Sequence, residues 1–544
     1  MLSTQVLIIG AGPVGMITAL CLAKAEISCV LIDRHKTRRD APKAHAVNPR
    51  TLEICERLGL SADHIRSLGA SYEDGGKVHF MDTLSSTCFG ALPYERQDDG
   101  ARAFTPWPLV NIPQPVFEQC LETAVEQDPN ITFLQGVTAT AFEQTDSVVT
   151  VAISGSDSSD QITAEYVVAA DGAGSQSREI LGIGMTGPEA LQHHMMIHFE
   201  ANLRELTQDH PGLLYFCLSP TAQGVFIGYD REKTWVFMQS YNPLTQSRED
   251  FDDAECKRLV CAAAGVDIPD LVIKNVSPWT MSAQVADTYR TGRVFLAGDA
   301  AHRFPPTGGL GLNTGVADAE NLAWKLSLVL KNDAHHDLLD SYEAERRPVA
   351  QINSQQSMTN SAKMLFLFSA VHGTDLANTA AHYASVCAAQ DEFPAVAEAV
   401  EIQRPHFDSF NLQIGYQYGV EVDADSLDIS RYEPTFLPGD YLPLTQLVDA
   451  PWLLGRLSQQ AFSLITGPAG EAWRCTPLDV LIEGEDFIPL TPFFEQAGIE
   501  ESGALLIRPD GHIAARWSSA PPNPEQEAQS VIDRVLQNTN HKEH

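Results

Sequence analysis

The N-terminal end of the chain alternates apolar runs with a cluster of glycines. Residues 6–9 form a short apolar run, residues 16–25 continue as an apolar segment, and residues 28–32 form a second short run that ends at Asp33. Short apolar runs predict buried strands, and the longer segment between them predicts a helix. The pattern therefore predicts a strand–helix–strand unit at the start of an α/β domain.

Two later apolar runs also end at an acidic residue beside a glycine. Residues 166–170 lead to Asp171, and residues 294–297 lead through Gly298 to Asp299. Each run has the length and composition of a buried strand. A proline- and glycine-rich turn follows at 305–311.

A long helix is predicted to begin near Asn313, directly after this turn. Its apolar residues keep the three- and four-residue spacing of a helix face: Val316, Ala319, Leu322, Ala323 and Leu326. The sequence thus places a carboxylate at a strand end, followed by a loop with few side chains and a helix N-terminus. Such an arrangement suits a ligand that carries both hydroxyl groups and negative charge.

The predicted secondary structure changes in character after residue 182. Short strands rich in aromatic residues predominate between 183 and 285, which predicts a mainly antiparallel sheet. Helical patterns dominate from 314 to about 405. The tail beyond 440 has a hairpin turn at Pro509, Asp510 and Gly511 and a closing helix, which predicts a separate small α/β domain.

The charge and the apolar content narrow the possible partners. The 544 residues carry a formal net charge of −35, whereas nucleic acids and anionic membranes attract basic surfaces. The apolar segment at 6–22 contains three glycines and a proline and lacks a basic flank, so it fits a strand–turn–helix better than an export signal. We expect a cytoplasmic protein that binds neither nucleic acid nor membrane.

The ten cysteines are scattered along the chain. They form no C-x-x-C pair and no Cys/His group at zinc-finger spacing. We therefore predict inert thiols in a reducing compartment and no metal site.

The glycines of the first unit follow the pattern G-x-G-x-x-G, from Gly10 through Gly12 to Gly15. Gly10 allows a tight turn, Gly12 lets the backbone approach a pyrophosphate, and Gly15 lets the helix pack against the strand. Asp33 follows about twenty residues later, where an acid accepts hydrogen bonds from ribose hydroxyls. With its full strand–helix–strand context, the motif predicts a dinucleotide site.

Three polar residues remain ambiguous from local sequence alone. Arg50 could neutralise a phosphate or could be a surface residue at a helix start. Gln114, in the first turn of another helix, and His45, between two alanines, could contact ligands or be structural. His302 we predict to be structural.

Three motifs in order, the glycine-rich unit, the Asp171 segment and the Gly298-Asp299 pair, resemble the single-component FAD-dependent aromatic hydroxylases over about residues 1–415. Residues 171–178 look like the D-G-x-x-S-x-x-R motif of that group, which contacts FAD and the pyridine nucleotide. Residues 43–53 and 301–307 are most similar to the branch of phenol hydroxylase and 2,4-dichlorophenol 6-monooxygenase. That branch carries a thioredoxin-like C-terminal domain, although only Cys475 lies in this tail, which excludes a C-x-x-C redox role.

The resemblance implies a set of site residues. His45 would be the base that takes a phenolic proton, and Pro306 would lie in the floor of the oxygenation site. Lys43 stands where the family has an arginine, which keeps the charge but loses the bidentate geometry. The implied FAD contacts are Gly10, Gly12, Pro13, Val14, Gly15, Asp33, Arg34, Lys43, Arg50, Gln114, Asp171, Gly172, Arg178, Gly298, Asp299, Pro306, Gly309, Gly311, Leu312 and Asn313.

The implied chemistry is hydroxylation of a phenolic or related aromatic substrate by a monooxygenase that uses FAD, O2 and NAD(P)H. NADPH or NADH reduces the flavin, which forms a C(4a)-hydroperoxide, and the site must then exclude water. The chain has no second G-x-G-x-x-G, so NAD(P)H would bind transiently. The resemblance further implies that the protein can form a homodimer.

Two alternatives stay open beside hydroxylation. The same scaffold serves Baeyer–Villiger and epoxidising monooxygenases, and only the substrate pocket separates them. A non-catalytic FAD-binding module is an alternative of another class. A related halogenase is disfavoured because the chain lacks a W-x-W-x-I-P segment.

The resulting fold prediction is an α/β Rossmann-like FAD-binding domain with an inserted, mainly antiparallel substrate domain and a thioredoxin-like C-terminal α/β domain. The predicted boundaries are 1–75, 105–182 and 286–415 for the FAD-binding domain and its helical region, 76–104 and 183–285 for the substrate domain, 416–439 for a linker, and 440–544 for the C-terminal domain.

Overall fold

The computed structural model describes residues 2–37, 44–155, 160–375, 377–389, 392–424 and 426–537. Predicted residue Lys43 lies outside these ranges. Among the helices of the described ranges, none has both the length and the apolar character that crossing a membrane requires.

The strands belong mainly to three large sheets. In chain order they are β1 (Leu2–Ile9), β2 (Cys29–Asp33), β3 (Ala46–Val47), β4 (Lys77–Met81), β5 (Cys88–Pro93), β6 (Val110–Asn111), β7 (Ile131–Gln135), β8 (Thr138–Gln144), β9 (Val149–Ser154), β10 (Gln161–Ala169), β11 (Met185–Thr186), β12 (Gln192–Glu200), β13 (Leu214–Cys217), β14 (Gly224–Asp230), β15 (Thr234–Ser240), β16 (Val272–Met281), β17 (Gln284–Ala286), β18 (Arg290–Thr291), β19 (Val294–Leu296), β20 (His302–Arg303), β21 (Ser463–Thr466), β22 (Asp479–Ile482), β23 (Ala504–Ile507) and β24 (Ile513–Trp517).

The helices vary from one turn to 32 residues. In chain order they are α1 (Pro13–Lys24), α2 (Pro49–Arg57), α3 (Ala62–Ser67), α4 (Tyr72–Gly75), α5 (Gln114–Gln127), α6 (Gln176–Ile180), α7 (Asp253–Ala264), α8 (Leu310–Leu330), α9 (Ser341–His372), α10 (Thr379–Ala388), α11 (Pro394–Glu401), α12 (Phe410–Ile414), α13 (Phe493–Gln496) and α14 (Pro524–Val535).

The first sheet has eight strands, with a main order β18-β19-β10-β1-β2-β7. The five strands from β19 to β7 are parallel, and β18 pairs antiparallel with β19. β9 pairs antiparallel with β10, and β8 pairs antiparallel with β9. The central strands are buried on both faces, as their nearly continuous apolar sequences predict.

Helices cover one face of this sheet and make the largest core of the molecule. α1, α5 and α8 contribute Met16, Phe117, Leu121, Val316 and Leu322, all buried, to a core that also contains β1 and β19 residues. The opposite face forms a second core with β8 and β9. The parallel sheet is therefore held rigidly between two apolar layers, and its strand ends are fixed in space.

The second sheet has seven strands in the order β16-β12-β15-β14-β13-β4-β5. All neighbours are antiparallel except β13 and β4, which run parallel. One face packs on α9, α10 and α11, and the other packs on α7. The mainly antiparallel character predicted for this part of the chain is confirmed.

The third sheet has four strands in the order β22-β21-β23-β24 and lies in the C-terminal part. β21 is parallel to β22 and antiparallel to β23, which forms a hairpin with β24. The predicted turn of that hairpin is present, and Gly511 adopts a φ of +82° there. Phe462, directly before β21, packs against Trp324 of α8 in the core between this sheet and that helix.

The predicted helix boundary near Asn313 is wrong by one turn. α8 begins at Leu310, with Gly309 as its N-cap in the left-handed conformation at φ +62°. The early start is possible because glycine tolerates that conformation without steric cost. Gly311, Leu312 and Asn313 consequently lie in the first turn of the helix.

Candidate active site

The predicted motif residues meet at one edge of the parallel sheet. Strands β19, β10, β1 and β2 are direct neighbours, and their carboxyl ends lead to Asp299, Asp171, Gly10 and Asp33 respectively. Ligands of open α/β sheets bind at the carboxyl ends of the strands. Four segments from distant parts of the chain, between Gly10 and Asp299, therefore contribute to one cleft.

Two glycines of the first motif are required by close packing. Gly10 has φ +103°, and a Cβ atom built on it would lie 2.4 Å from the carbonyl oxygen of Ala170. A Cβ on Gly15 would lie 1.9 Å from the carbonyl oxygen of Gly10. The roles predicted for these two glycines, a tight turn and close helix packing, agree with this geometry.

Gly12 and Gly311 differ from these two because their Cα atoms face open space. A Cβ atom on either residue would meet no atom within 4 Å. Gly12 caps α1 and Gly311 is the second residue of α8, so both lie at helix N-termini whose N–H groups have no partner within the helix. Such N-termini attract anionic groups. The open cradle fits a phosphate-bearing cofactor such as FAD.

Val14 joins the cradle to the third motif. Its side chain would lie 2.8 Å from a Cβ atom on Gly298 and 2.6 Å from one on Gly315. Gly298 has φ +60°. The start of α1, the end of β19 and the first half of α8 are thus in direct contact, and their glycines permit that contact.

Replacing Gly12 by alanine is expected to leave the fold intact and to weaken FAD binding at least tenfold. The added methyl group meets no protein atom but would occupy the space of a bound pyrophosphate, so the unfolding transition should shift by less than about 0.5 kcal/mol. Flavin fluorescence titration of apoprotein measures the affinity. Gly100→Ala is the control, because its added atom meets only the side chain of Asp98. Equal affinity in both variants would contradict the assignment.

The three acidic residues have different surroundings. Asp33 accepts hydrogen bonds from the backbone N–H groups of Ala11, at 2.8 Å, and His35, at 2.7 Å. Asp171 accepts from the Ser175 hydroxyl at 2.5 Å and from the Ser177 N–H at 3.0 Å, and so fixes the start of α6. Asp299 is exposed to the cleft. Asp33 and Asp171 are thus held in place by backbone N–H groups at the carboxyl ends of their strands.

Arg178 connects the second motif to the third. It is 5% exposed, and its guanidinium donates hydrogen bonds to the carbonyl oxygens of Ala300, at 3.0 Å, and Ala173, at 3.4 Å. It therefore acts on the cleft through the segment of Asp299. Gly172, with φ +83° and open space around its Cα, and Arg34, which is exposed, border the same edge.

The structure argues against Arg50 as a cofactor contact. Its side chain is buried and pairs with Glu53 at 2.5 Å, donates to the Ile414 carbonyl oxygen at 2.9 Å and covers the Tyr441 ring at 3.0 Å from the ring centroid. These contacts anchor α2 to the C-terminal half of the chain. The local sequence did not show the contacts with Ile414 and Tyr441 because these residues lie more than 360 positions away.

The side chain of the predicted contact Asn313 is engaged by other parts of the protein. Its amide nitrogen donates to the carbonyl oxygens of Ala46 and Gly309, and its amide oxygen accepts from the N–H of Asn48 and the hydroxyl of Thr51. Asn313 instead clips α8 to β3 and α2. The open backbone N–H groups of the first turn belong to Gly311 and Leu312, which stay as candidates beside Gly309.

Gln114 supports the segment that leads to His45. Its side-chain oxygen accepts from the N–H of Ala44 at 3.1 Å, and its backbone N–H donates to the carbonyl oxygen of Ala44 at 3.0 Å. The side-chain nitrogen donates to Glu118. Gln114 therefore fixes the backbone at Ala44, next to His45.

The hydrogen bond of His45 determines its tautomer. Asn111 donates from its amide nitrogen to the carbonyl oxygen of Gly75 at 3.0 Å, so its amide oxygen faces Nδ1 of His45, 3.0 Å away. An amide oxygen only accepts, so Nδ1 must carry the proton and Nε2 keeps the lone pair. Burial lowers the pKa of His45 below its ordinary value of 6.5. The imidazole is thus neutral near pH 7 and able to accept a proton at Nε2.

Two buried tyrosines that sequence analysis missed surround this imidazole. The rings of Tyr94 and Tyr229 have centroids 5.6 and 6.0 Å from that of His45. The Tyr229 hydroxyl is buried without a hydrogen-bond partner within the described protein, and a Cβ atom on Gly309 would lie 3.5 Å from the Tyr94 hydroxyl. The sequence offered no signal for this group because its members come from three separate segments.

The loop below these rings contains few side chains. Pro306 is exposed, and its carbonyl oxygen accepts from the N–H of Gly309 at 3.2 Å. Gly308 adopts φ +104° and keeps the turn narrow. Pro306, Gly308 and Gly309 thus form a narrow turn with few side chains beside the Tyr94 hydroxyl.

His302 is structural, as predicted, and lies in a fully buried ion network. Its Nε2 is 2.7 Å from Asp318, which also pairs with Arg346 at 2.7 Å, and all three side chains have no exposed surface. Asp318 accepts from the N–H of Gly298 at 3.2 Å. The network thereby holds the residue preceding Asp299 in place.

The same network extends to the C-terminal domain. Arg346 donates to the Tyr418 hydroxyl at 3.1 Å, and the Tyr418 ring stacks on His512 at 4.1 Å. Nearby, Glu345 pairs with Arg508 at 2.6 Å and with Lys325 of α8 at 2.7 Å. The β23–β24 turn is thus bound to the helix that carries the cleft.

Comparison with known proteins agrees with this geometry. The family described as an FAD binding domain matches residues 3–357. The chain is 30% identical to aklavinone 12-hydroxylase of Streptomyces purpurascens, covering 98% of both chains. It is 27% identical to 2,4-dichlorophenol 6-monooxygenase of Delftia acidovorans, again covering 98% of both.

A solved structure gives the same result in three dimensions. The flavin-dependent monooxygenase PieE, in complex with FAD and substrate, is 29% identical and superimposes with a TM-score of 0.88, covering 98% of this chain and 99% of that one. The similarity therefore extends over the eight-stranded sheet, the seven-stranded sheet and the C-terminal part.

Proposed function

The chain belongs to the FAD-dependent aromatic hydroxylases, and we propose that it hydroxylates a phenolic ring of a polycyclic aromatic substrate with His45 as the base. O2 and NAD(P)H are the proposed co-substrates. The observation that carries the proposal is the neutral His45 imidazole, fixed by Asn111 with its lone pair on Nε2, beside two buried tyrosines.

We propose that the open cradle holds FAD, because its glycines leave the space that a Cβ atom would fill. When bound and reduced, FAD supplies the activated oxygen for the reaction. The N-termini of α1 and α8 would face its negative charge. The proposed contacts are Gly10, Gly12, Pro13, Val14, Gly15, Asp33, Arg34, Gln114, Asp171, Gly172, Arg178, Gly298, Asp299, Pro306, Gly309, Gly311 and Leu312.

His45 would act on the substrate by accepting the phenolic proton at Nε2. Loss of that proton raises the electron density of the ring at the positions ortho and para to the oxygen. A base with a pKa near or below the working pH is available in its neutral form. The Asn111 bond keeps the proton on Nδ1, so that Nε2 offers its lone pair to the substrate.

Tyr94 and Tyr229 would exclude water and fix the ring. Both are nearly fully buried, and a site closed to water protects the reactive oxygen from unproductive loss. The unpartnered Tyr229 hydroxyl can donate a hydrogen bond to an oxygen of the substrate. A substrate with oxygens at two positions of its ring system would use both His45 and Tyr229.

A polycyclic substrate is favoured by the relatives. A protein 30% identical is named for its action on aklavinone, and a single-ring hydroxylase named for 2,4-dichlorophenol is 27% identical. Both alignments cover 98% of each chain, so the higher identity favours a polycyclic substrate. The single-ring phenol is tested beside it.

A substrate panel tests the proposal. The purified holoenzyme is incubated with NADPH or NADH and with polycyclic phenols or 2,4-dichlorophenol, while O2 uptake and products are followed. We expect polycyclic phenols to stimulate NAD(P)H oxidation and to give a hydroxylated ring by NMR. Ring expansion or an epoxide would support the Baeyer–Villiger or epoxidising alternative. Unstimulated oxidation that yields only hydrogen peroxide would contradict catalysis on these substrates.

Replacing Asn111 by aspartate is expected to move the acid limb of the pH–rate profile upwards by about one pH unit. A carboxylate beside Nδ1 stabilises the imidazolium and raises the pKa of His45, so the neutral base is lost at a higher pH than in the parent protein. The profile of kcat/KM against pH measures the shift. A parallel profile for Asn275→Asp, on the edge strand β16 of the substrate sheet, controls for added charge.

We propose that the C-terminal domain is thioredoxin-like and that the domain limits are those predicted from the sequence. The order β22-β21-β23-β24, with one parallel pair followed by a hairpin, supports the first proposal. The pairing of β4 with β13, across more than 130 residues, supports the assignment of 76–104 to the substrate domain. Cys475 is exposed and is the only cysteine of this domain, so the domain has no dithiol chemistry.

A further inference from the structure

We propose that His79, Cys88 and His210 form a binding site for a zinc-class divalent ion, on the face of the seven-stranded sheet that packs against α7. One ligand atom of each residue lies within 4.8 Å of the ligand atoms of the other two. Two imidazoles and one thiolate are ligands that Zn²⁺ prefers. The spacing of these residues along the chain, 79, 88 and 210, matches no zinc motif, so the sequence predicted no metal there.

Sheet pairing brings the three residues together. His79 lies in β4 and Cys88 begins β5, and these strands pair antiparallel with Met81 opposite Cys88. β4 also pairs with β13, which places Tyr215 beside His79 with their rings stacked at 5.3 Å. His210 lies in the loop before β13. The site would thus join two strands and one loop.

The hydrogen bond of His79 leaves one ring nitrogen available to an ion. Its Nε2 is 3.0 Å from the carbonyl oxygen of Pro211 and must donate to it, since a carbonyl only accepts. Nδ1 therefore carries the lone pair. His79 is 3% exposed, and Nδ1 is buried with no hydrogen-bond partner within the described protein. Metal-bound histidines typically donate their other N–H to a carbonyl or carboxylate in this way.

Binding of an ion involves one proton, that of the thiol. The hydrogen bond from Nε2 of His79 to the carbonyl oxygen of Pro211 leaves the lone pair of Nδ1 for the ion. Burial raises the pKa of Cys88, so the ion must displace the thiol proton: Cys–SH and M²⁺ give Cys–S–M⁺ and H⁺. No electron is transferred in this step.

The surroundings predict moderate affinity. Lys77 and Arg231 are close enough to His79 to lower its pKa further, and their positive charge opposes a cation, although Arg231 pairs with Asp74 at 2.6 Å. Zinc bonds are about 2.0–2.3 Å long, so binding would draw the three ligand atoms, now within 4.8 Å of one another, around the ion. Cys88 and His210 are partly exposed, so a water can complete the coordination.

The site is separate from the active-site cleft. The side chains of Val78 and Phe80, which alternate with His79 along β4, pack in the same core as Tyr94 and Tyr229. His79 lies on the opposite face, beside the core of Met81 and Tyr215. A bound ion would therefore link β4, β5 and the loop before β13 on the face of the sheet that packs against α7, away from the proposed flavin site.

Metal binding to the full-length holoenzyme tests the site. A His336→Ala background is used, because His335, His336 and Asp337 form a second surface group that could hold an ion. The protein is freed of metal with EDTA and titrated with Zn²⁺, and with Co²⁺ as a spectroscopic probe. We expect one ion per chain, a thiolate-to-cobalt charge-transfer band, and a rise in the melting temperature.

Cys88→Ser and His210→Ala are the test variants, because both residues are partly exposed and their replacement should preserve the fold. Cys261→Ser is the matched control, since that cysteine is also partly buried and lies in α7 on the same side. Each test variant should bind Zn²⁺ at least tenfold more weakly, and Cys261→Ser should bind as the parent does. Absence of binding to the parent, or equal binding by parent and test variants, would overturn the proposal.

Discussion

Replacing His45 by alanine is expected to lower the rate of substrate hydroxylation by about 10²–10⁴-fold, the usual contribution of a positioned base. The variant keeps the cradle glycines and therefore keeps its flavin. NAD(P)H oxidation should continue in part, but its electrons should appear as hydrogen peroxide, because the un-ionised phenol reacts too slowly. The ratio of product formed to NAD(P)H consumed measures this uncoupling.

The pH dependence separates a base from a structural residue. The parent rate should fall as the pH drops through the lowered pKa of His45, so the acid limb lies below pH 6.5. In His45→Ala that limb should disappear, and the defect should shrink as the pH rises toward the pKa of the phenol, about 10 for a simple phenol. His64→Ala, an exposed histidine on α3, is the control. Unchanged coupling in His45→Ala would remove the base assignment.

Replacing Arg346 by methionine is expected to destabilise the protein by about 3–5 kcal/mol, as for other broken buried ion pairs. The guanidinium is fully buried between Asp318 and Tyr418, and its loss leaves the carboxylate of Asp318 with only His302 and the N–H of Gly298. Urea unfolding followed by circular dichroism and by flavin fluorescence measures the loss. The flavin signal should change at the lower urea concentration, because the Gly298 segment loosens first.

Arg404→Met provides the comparison for that variant. Arg404 pairs with Glu401 at 2.8 Å, but both side chains are at least half exposed, so its loss should cost less than about 1 kcal/mol. A similar small cost for Arg346→Met would mean that Asp318 takes a proton or a water without penalty, and that the network does not stabilise the cleft.

The strands and the cofactor site could be predicted because their signals are local. Four of the five parallel strands are apolar runs that end at a glycine or acid of the cleft, as at Gly10 and Asp171. Parallel strands necessarily bring those ends together. The predictions of FAD, of monooxygenase activity and of the aromatic hydroxylase family are confirmed by the comparisons.

Sequence reasoning does not reach the contacts of residues whose partners are distant along the chain. Arg50 and Asn313 are residue types that often contact ligands, but their side chains form hydrogen bonds with Ile414 and Asn48. The tautomer of His45 depends on Asn111, which is 66 residues away. Periodicity and motif spacing describe neighbours along the chain, and they carry no information about pairings that only the folded sheet creates.

The contact between the β23–β24 turn and α8 has a consequence for the synthesis of the protein. Arg57 donates to the carbonyl oxygen of Pro509 at 2.6 Å, and Arg508 completes the charges around Glu345 and Lys325. These partners of the N-terminal half leave the ribosome only after some 500 residues have been made. Until then Arg57 lacks the carbonyl oxygen of Pro509, and the Glu345–Lys325 pair lacks Arg508. We therefore expect the cleft to reach its final form, and to capture the flavin, only when translation is almost complete.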